Sequence, residues 1–280
     1  MVCRDLQEEA SLLSTYAATL AAKSFRVASA IAAHFDLEMK QFDVINAFIN
    51  AERDSNGPMV VCKLPDGFKV PGYVAEVDRA LYGLRDFPAL WYKHWTDTLK
   101  RIGLSGLNEE PCICVDTDHK VFVVFYVDDF QVLYHKDDEA RAQSIIAQIK
   151  MVYELHDMRD VEWFLGVRVI RDRKAKKLWL VYDTYIEKIA KKFKVVDGKC
   201  PSTPLPGIDL RRYSGQAHLR QIKAYQEKVG LLLYTAIIIR ADIAFAASVL
   251  SQFLTNPASE HFIAIDWALR YLFGTRFLAI

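Results

Sequence analysis

The chain has 280 residues, 52% of them hydrophobic and 25% charged, a composition that suits a globular protein burying a sizeable core in one large or two small domains. Its 36 Lys/Arg stand against 35 Asp/Glu, a net charge of +1, so no overall field advertises a nucleic-acid ligand. Five cysteines, an odd number, with no signal peptide and no apolar run of membrane-spanning length, argue against a disulfide scaffold and a transmembrane helix and point to a reducing, intracellular setting.

In chain order, residues 12–34 are Ala-rich and lack Gly and Pro, which predicts a helix or helix pair. Phe35 to Ile49 reads as a strand carrying Asp43. Ser55-Asn56-Gly57-Pro58, Pro65-Asp66-Gly67 and Pro71-Gly72 mark turns and loops. Pro88 to Ile102 is a helix, with Pro near its start and Trp91, Trp95, Leu99 and Ile102 on one face; these aromatics read as core, not as a stacking platform. Cys112 and Cys114 form a C-x-C on one strand face, again core. Val121 to Tyr134 is a hairpin with an Asp pair at its tip, and Asp137 to Val152 an amphipathic helix with Ala140, Ile145, Ile149 and Val152 inward. Glu162 to Ile170 and Leu178 to Tyr182 pair as a second hairpin around Asp172-Arg173-Lys174, and Ile186 to Phe193 is helical. Arg168, Arg171, Arg173, Lys174, Lys176 and Lys177 make a local basic knot that either meets phosphates or is a solvated tip. Cys200-Pro201 to Pro206-Gly207 is a linker, and the chain divides there into residues 1–200 and 201–280. Tyr225 to Leu254 and Ser259 to Phe273 are helical, with Asn256-Pro257 between them. Hairpins interleaved with helices predict an α+β fold with an antiparallel sheet.

The chemistry concentrates at Tyr126-Val127-Asp128-Asp129, where two adjacent acids end the apolar run Val121-Phe122-Val123-Val124-Phe125. Two like charges about 4 Å apart repel by roughly 4 kcal/mol at an effective dielectric near 20. Taken alone, the pair reads as a solvated turn. Asp43 adds a third acid at the end of another strand. Two such sites brought side by side make a carboxylate nest for hard divalent cations, of the kind that positions two metal ions in phosphoryl transfer.

Four segments, in order, resemble the reverse transcriptase of Ty1/copia-type retrotransposons: Gln41-Phe42-Asp43-Val44-Ile45-Asn46-Ala47-Phe48-Ile49-Asn50, Leu81-Tyr82-Gly83-Leu84-Arg85, Tyr126-Val127-Asp128-Asp129 and Trp163-Phe164-Leu165-Gly166. Ser202-Thr203-Pro204-Leu205 and Arg240-Ala241-Asp242-Ile243-Ala244-Phe245-Ala246 match as well. The resemblance implies a right-hand polymerase: partial fingers and a palm over 1–200, a helical thumb and connection over 201–280, and a fingers segment that the chain enters only part-way. It implies an RNA-directed DNA polymerase using two Mg²⁺ ions, with Mn²⁺ as the alternative, to join deoxynucleotides to a primer on an RNA or DNA template.

By the same resemblance Asp43 and Asp128 bridge the metals, Asp129 supports them and the Val44 carbonyl completes the shell. Phe48 is the steric gate under the sugar, Tyr82 and Gly83 lie against the incoming nucleotide, and Trp163, Phe164, Leu165 and Gly166 are the primer grip. The partners implied are the rest of a Gag-Pol polyprotein, with no membrane. The location implied is the cytoplasm, in a virus-like particle with nuclear entry. The chain departs from the family pattern at Asp86, Phe87 and Ala241, and it begins and stops where the fingers and a ribonuclease H domain would continue. The competing expectation is a truncated, catalytically silent remnant that at most binds nucleic acid or a partner; an unrelated two-metal nuclease or cyclase leaves the other segments unexplained.

Overall fold

The computed structural model describes residues 16–52, 59–64, 66–80 and 87–280. The chain forms two compact units, the first ending at Val161 and the second running from Glu162 to Ile280. The Cys200–Gly207 linker, where the sequence divides into 1–200 and 201–280, falls inside the second unit.

In the first unit α1 (Ala22–His34) leads into β1 (Glu38–Val44), followed by a 3-10 turn, Ala47–Asn50. A short pair, β2 (Val61–Cys62) and β3 (Ala75–Glu76), precedes α2 (Phe87–Arg101). Then come β4 (Leu104–Gly106), β5 (Ile113–Asp116), β6 (Val121–Tyr126), β7 (Asp129–Tyr134), α3 (Glu139–Val152) and β8 (Leu155–Asp160). Six of these strands form one antiparallel sheet in the order β4-β5-β6-β7-β1-β8.

Two sequence expectations shorten here. The helix expected over 12–34 starts at Ala22 within the described residues, and the strand expected over Phe35–Ile49 is confined to Glu38–Val44. The strand stops because Asn46 takes a left-handed φ of 52°, a conformation Asn tolerates, and the chain coils into the 3-10 turn.

Register dictates the two faces of the sheet. Phe42 lies opposite Phe130, and their rings stack at 5.3 Å. The same face carries Phe125, and α2 lays Trp95 on it, 6.0 Å from Phe125 and 5.1 Å from Phe130. Trp91, Trp95 and Leu99 recur every four residues on α2 and are fully buried, each worth roughly 1.5–3 kcal/mol of transfer free energy. Lys100 and Arg101 close the helix at its negative end. Helix α3 buries Ala142, Ile145, Ile146 and Ile149; Ala140 and Val152, expected inward, are exposed at the helix ends, where the stripe runs out. Cys112 and Cys114 are buried as expected, and burial pushes both thiols well up, to about 12 and about 11.

The second unit opens with β9 (Trp163–Phe164), β10 (Val167–Asp172) and β11 (Lys177–Val181), an antiparallel sheet of order β11-β10-β9. It continues with α4 (Asp183–Lys192), α5 (Leu219–Ile238), a 3-10 turn Ala241–Ile243, α6 (Ala244–Ser251) and α7 (Ser259–Gly274). The single helix expected over Tyr225–Leu254 is therefore two. Its break has a cause the sequence conceals: Arg240, 2% exposed, turns in to donate to Asp242 at 2.7 and 2.8 Å and to the carbonyl and hydroxyl of Thr275 at 3.0 and 2.6 Å. That cluster ties the end of α5 to the end of α7. Tyr225 Oη donates to the Leu250 carbonyl at 2.9 Å and joins α5 to α6. Arg168 of the basic knot is paired with Asp183. Among the described residues no helix is long and apolar enough to cross a membrane.

Candidate functional site

Strand pairing assembles the acids. Asp43, next to last in β1, lies directly opposite Asp129, the first residue of β7. Side chains two apart share a face, so Gln41, Asp43, Asp129 and Gln131 all project from the face opposite the aromatic core. Asp128 sits in the two-residue loop Val127-Asp128 that closes the β6–β7 hairpin. On its other side Asp43 pairs with His156 of β8.

The hairpin tip is held on two sides. Val127 adopts a left-handed φ of 59°, which costs a β-branched residue about 1–3 kcal/mol and persists only where neighbours enforce it. The indole Nε1 of Trp91 donates to the Val127 carbonyl at 2.8 Å, and the Val44 amide donates to the Asp128 carbonyl at 2.9 Å.

The carboxylates carry the electrostatic signature of a site short of positive charge. Burial, opposed by hydrogen bonds from Gln41 and reinforced by the charges of Asp43 and Asp128, pushes Asp129 up to about 7. Gln41 Nε2 donates to both Asp129 oxygens, at 2.9 and 3.1 Å, yet does not offset the burial. Asp43 is raised as well, by burial first and then by Asp128, with His156 opposing. A divalent cation would relieve both groups.

The fit to such a cation is one of donor chemistry. Among the described residues no three His, Cys, Asp or Glu side chains form a group that could hold a metal ion as they stand. Mg²⁺, however, takes one or two carboxylates and completes its shell with waters and substrate phosphates. The hard carboxylate oxygens of Asp43 and Asp129, paired in register at the end of a sheet, suit that mode.

The other predicted residues are distributed as follows. Phe48, in the 3-10 turn after β1, is 6% exposed and packs on Phe87 at 4.0 Å and Trp91 at 6.3 Å. The departure at Phe87 thus fills space beside Phe48. Tyr82, Gly83 and Asp86 lie outside the described residues. Trp163 and Phe164 form β9 in the second unit, and Leu165 and Gly166 are its turn, both at positive φ, 53° and 76°, as a tight mirror-image hairpin turn requires. Phe164 is buried and Trp163 is exposed.

Sequence reasoning missed Gln41, His156 and the role of Trp91. Gln41 was detectable as a polar residue two before Asp43 on a buried strand; the other two depend on pairings between residues far apart in the chain.

Residues 6–206 match the family described as reverse transcriptase (RNA-dependent DNA polymerase). The chain is 30% identical to a retrovirus-related Pol polyprotein from transposon TNT 1-94 of Nicotiana tabacum, over 90% of the chain and 20% of that protein. It is 32% identical to a putative transposon Ty5-1 protein of Saccharomyces cerevisiae, over 85% of the chain and 77% of that protein. A Pol polyprotein from transposon RE1 of Arabidopsis thaliana is 30% identical over 93% of the chain and 18% of its own length. The chain thus spans about a fifth of the two Pol polyproteins and about three quarters of the yeast protein.

Proposed function

Because this chain belongs to the reverse transcriptases of Ty1/copia-type transposons, we propose that it carries the polymerising site of an RNA-directed DNA polymerase, which transfers a nucleotidyl group from a deoxynucleoside triphosphate to a primer 3′-hydroxyl. The observation that carries this reading is the register of Asp43 against Asp129 beside the hairpin loop that bears Asp128. In this reading Asp43 and Asp128 hold two Mg²⁺ ions, with Mn²⁺ able to substitute, and Asp129 and the Val44 carbonyl support them. The ions, when bound, polarise the attacking hydroxyl and neutralise charge on the leaving pyrophosphate. The protein's own part is positioning: β1 and β7 fix the acids, and Gln41 orients Asp129. Phe48 is assigned the sugar gate and Tyr82-Gly83 the nucleotide contact on the family match, and Trp163-Phe164-Leu165-Gly166 the grip on the primer end.

The six-stranded sheet with its helices then serves as palm and residues 201–280 as thumb and connection, with residues 1–200 as the partial fingers and palm. The partners are an RNA or DNA template-primer and the rest of a Gag-Pol polyprotein, and the location is a cytoplasmic virus-like particle with nuclear entry. The test is primer extension on an RNA template with Mg²⁺ and deoxynucleotides, beside Asp128→Asn. Extension that the substitution abolishes supports the reading; no extension by the folded chain sinks it. The departures from the family pattern at Asp86 and Phe87 motivate a second reading, a silent domain that retains nucleic-acid binding. Primer-template binding that weakens with added salt, without extension, would mark that case.

A further inference from the structure

We propose that Trp91 is a positioning residue that sets the direction of the Asp128 carboxylate by holding the Val127–Asp128 peptide. The inference rests on the reading of Asp128 as a metal ligand. Two peptide planes flank the Asp128 Cα. The one after it is tied to β1 through the Val44 amide, and the one before it is tied to α2 through the Trp91 indole. With both planes fixed, the backbone dihedrals of Asp128 are fixed, and so is the direction of its Cβ.

The strain sits at the residue that carries the held carbonyl. Val127 at φ 59° leaves its left-handed conformation only by rotation about its own N–Cα bond, which reshapes the two-residue turn and swings the carbonyl away from the indole. A cavity of about 160 Å³ has Trp91, Tyr92, Trp95, Phe125 and Val127 in its lining, and the hydrogen bond from the indole opposes the rotation. The rotation would also strand a buried indole N–H, which is costly.

The neighbouring tryptophan supplies a control. Trp95 stacks on Trp91 at 5.8 Å and is equally buried, but its own Nε1 has no hydrogen-bond partner. Trp95→Phe removes packing alone; Trp91→Phe removes comparable packing and the bond to the catalytic turn.

The experiment uses the full chain in two measurements. Mn²⁺ alone is titrated and the free ion is followed by electron paramagnetic resonance. Trp91→Phe is expected to weaken Mn²⁺ binding about tenfold, the scale of one lost hydrogen bond, while Trp95→Phe stays within about twofold of the native chain. Equal losses in the two variants would overturn the proposal.

The second measurement needs no metal. Urea unfolding is compared for the native chain, Trp91→Phe, Val127→Gly and the double variant. Glycine adopts positive φ without strain, so the effect of Trp91→Phe on the unfolding equilibrium should shrink about fivefold in the Val127→Gly background. Additive effects would overturn the proposal whether or not Mn²⁺ binds. Coupling in a chain that binds no Mn²⁺ would instead sink the metal-site reading and leave Trp91 as the residue that holds the turn.

Discussion

Asp129→Asn should stabilise the metal-free chain at alkaline pH and not at acid pH. Burial is the main cause that lifts this carboxyl from 3.8 to about 7, so the folded chain resists its ionisation. The folded value lies above the unfolded one. Metal-free stability is therefore unaffected by this group below about pH 4, falls as the pH rises toward 7, and stays low above it. At about 1.36 kcal/mol per unit the full penalty is about 4 kcal/mol, and partial exposure reduces it to about 2 kcal/mol. Asn cannot ionise and escapes the penalty, but it forfeits one of the two bonds from Gln41, a loss of about 1 kcal/mol. Urea unfolding in EDTA, followed by circular dichroism, should show the variant about 1–3 kcal/mol more stable than the native chain at pH 8. At pH 4 it should be equal or slightly less stable. A stability difference that does not change between the two pH values would refute the reasoning.

Asp242→Ala leaves the buried Arg240 guanidinium without its paired carboxylate and should cost about 3–5 kcal/mol, measured by urea unfolding. Burial alone would raise the Asp242 carboxyl, but its bonds and charge interaction with Arg240 prevail and hold it below the usual range; this contribution is present above the unfolded value and is lost as the pH falls through the folded one, so the native chain should lose its stability advantage over Asp242→Ala in acid. Arg159 occupies a left-handed φ of 65° at the β1–β8 irregularity, and Arg159→Gly should raise stability by about 0.5–1 kcal/mol, read as a shift in urea midpoint. Gly166→Ala puts a Cβ at φ 76° and 3.5 Å from the Tyr182 ring and should cost about 1–2 kcal/mol, seen as a lower thermal midpoint.

What could be read from the residues divides along the range of the interactions involved. The β6–β7 hairpin with its acidic tip follows from the run Val121–Phe125 and the Asp pair, and α2 follows from Trp91, Trp95 and Leu99 at four-residue spacing, because both signals lie within a few positions of the chain. Asp43 could be located as an acid at a strand end, but that β1 inserts between β7 and β8 and meets Asp129 in register depends on pairing across 86 positions. The bond from Trp91 to Val127 spans 36 positions and depends on a backbone conformation that Val disfavours, so propensity points away from it. Arg240 hid the break between α5 and α6 for a related reason: with Ala241 in place of Pro, no local breaker marks a turn at which Arg240 is drawn in by Thr275, 35 positions away. The strand expected over Glu162–Ile170 is in fact two, β9 and β10, turned at Leu165-Gly166; Gly166 is a local signal for that turn, but Leu165 at φ 53° gives none.

Whether Asp43, Asp128 and Asp129 hold a divalent cation is decided by Mg²⁺ titration calorimetry at pH 7 on the native chain and on Asp43→Asn, each in two buffers of different ionisation heat. Binding with net proton release is expected, because burial raises the Asp129 carboxyl and it must ionise to accept the ion, and Asp43→Asn should abolish both. Absence of binding by the folded native chain, or binding that Asp43→Asn leaves intact, would contradict the metal-site reading.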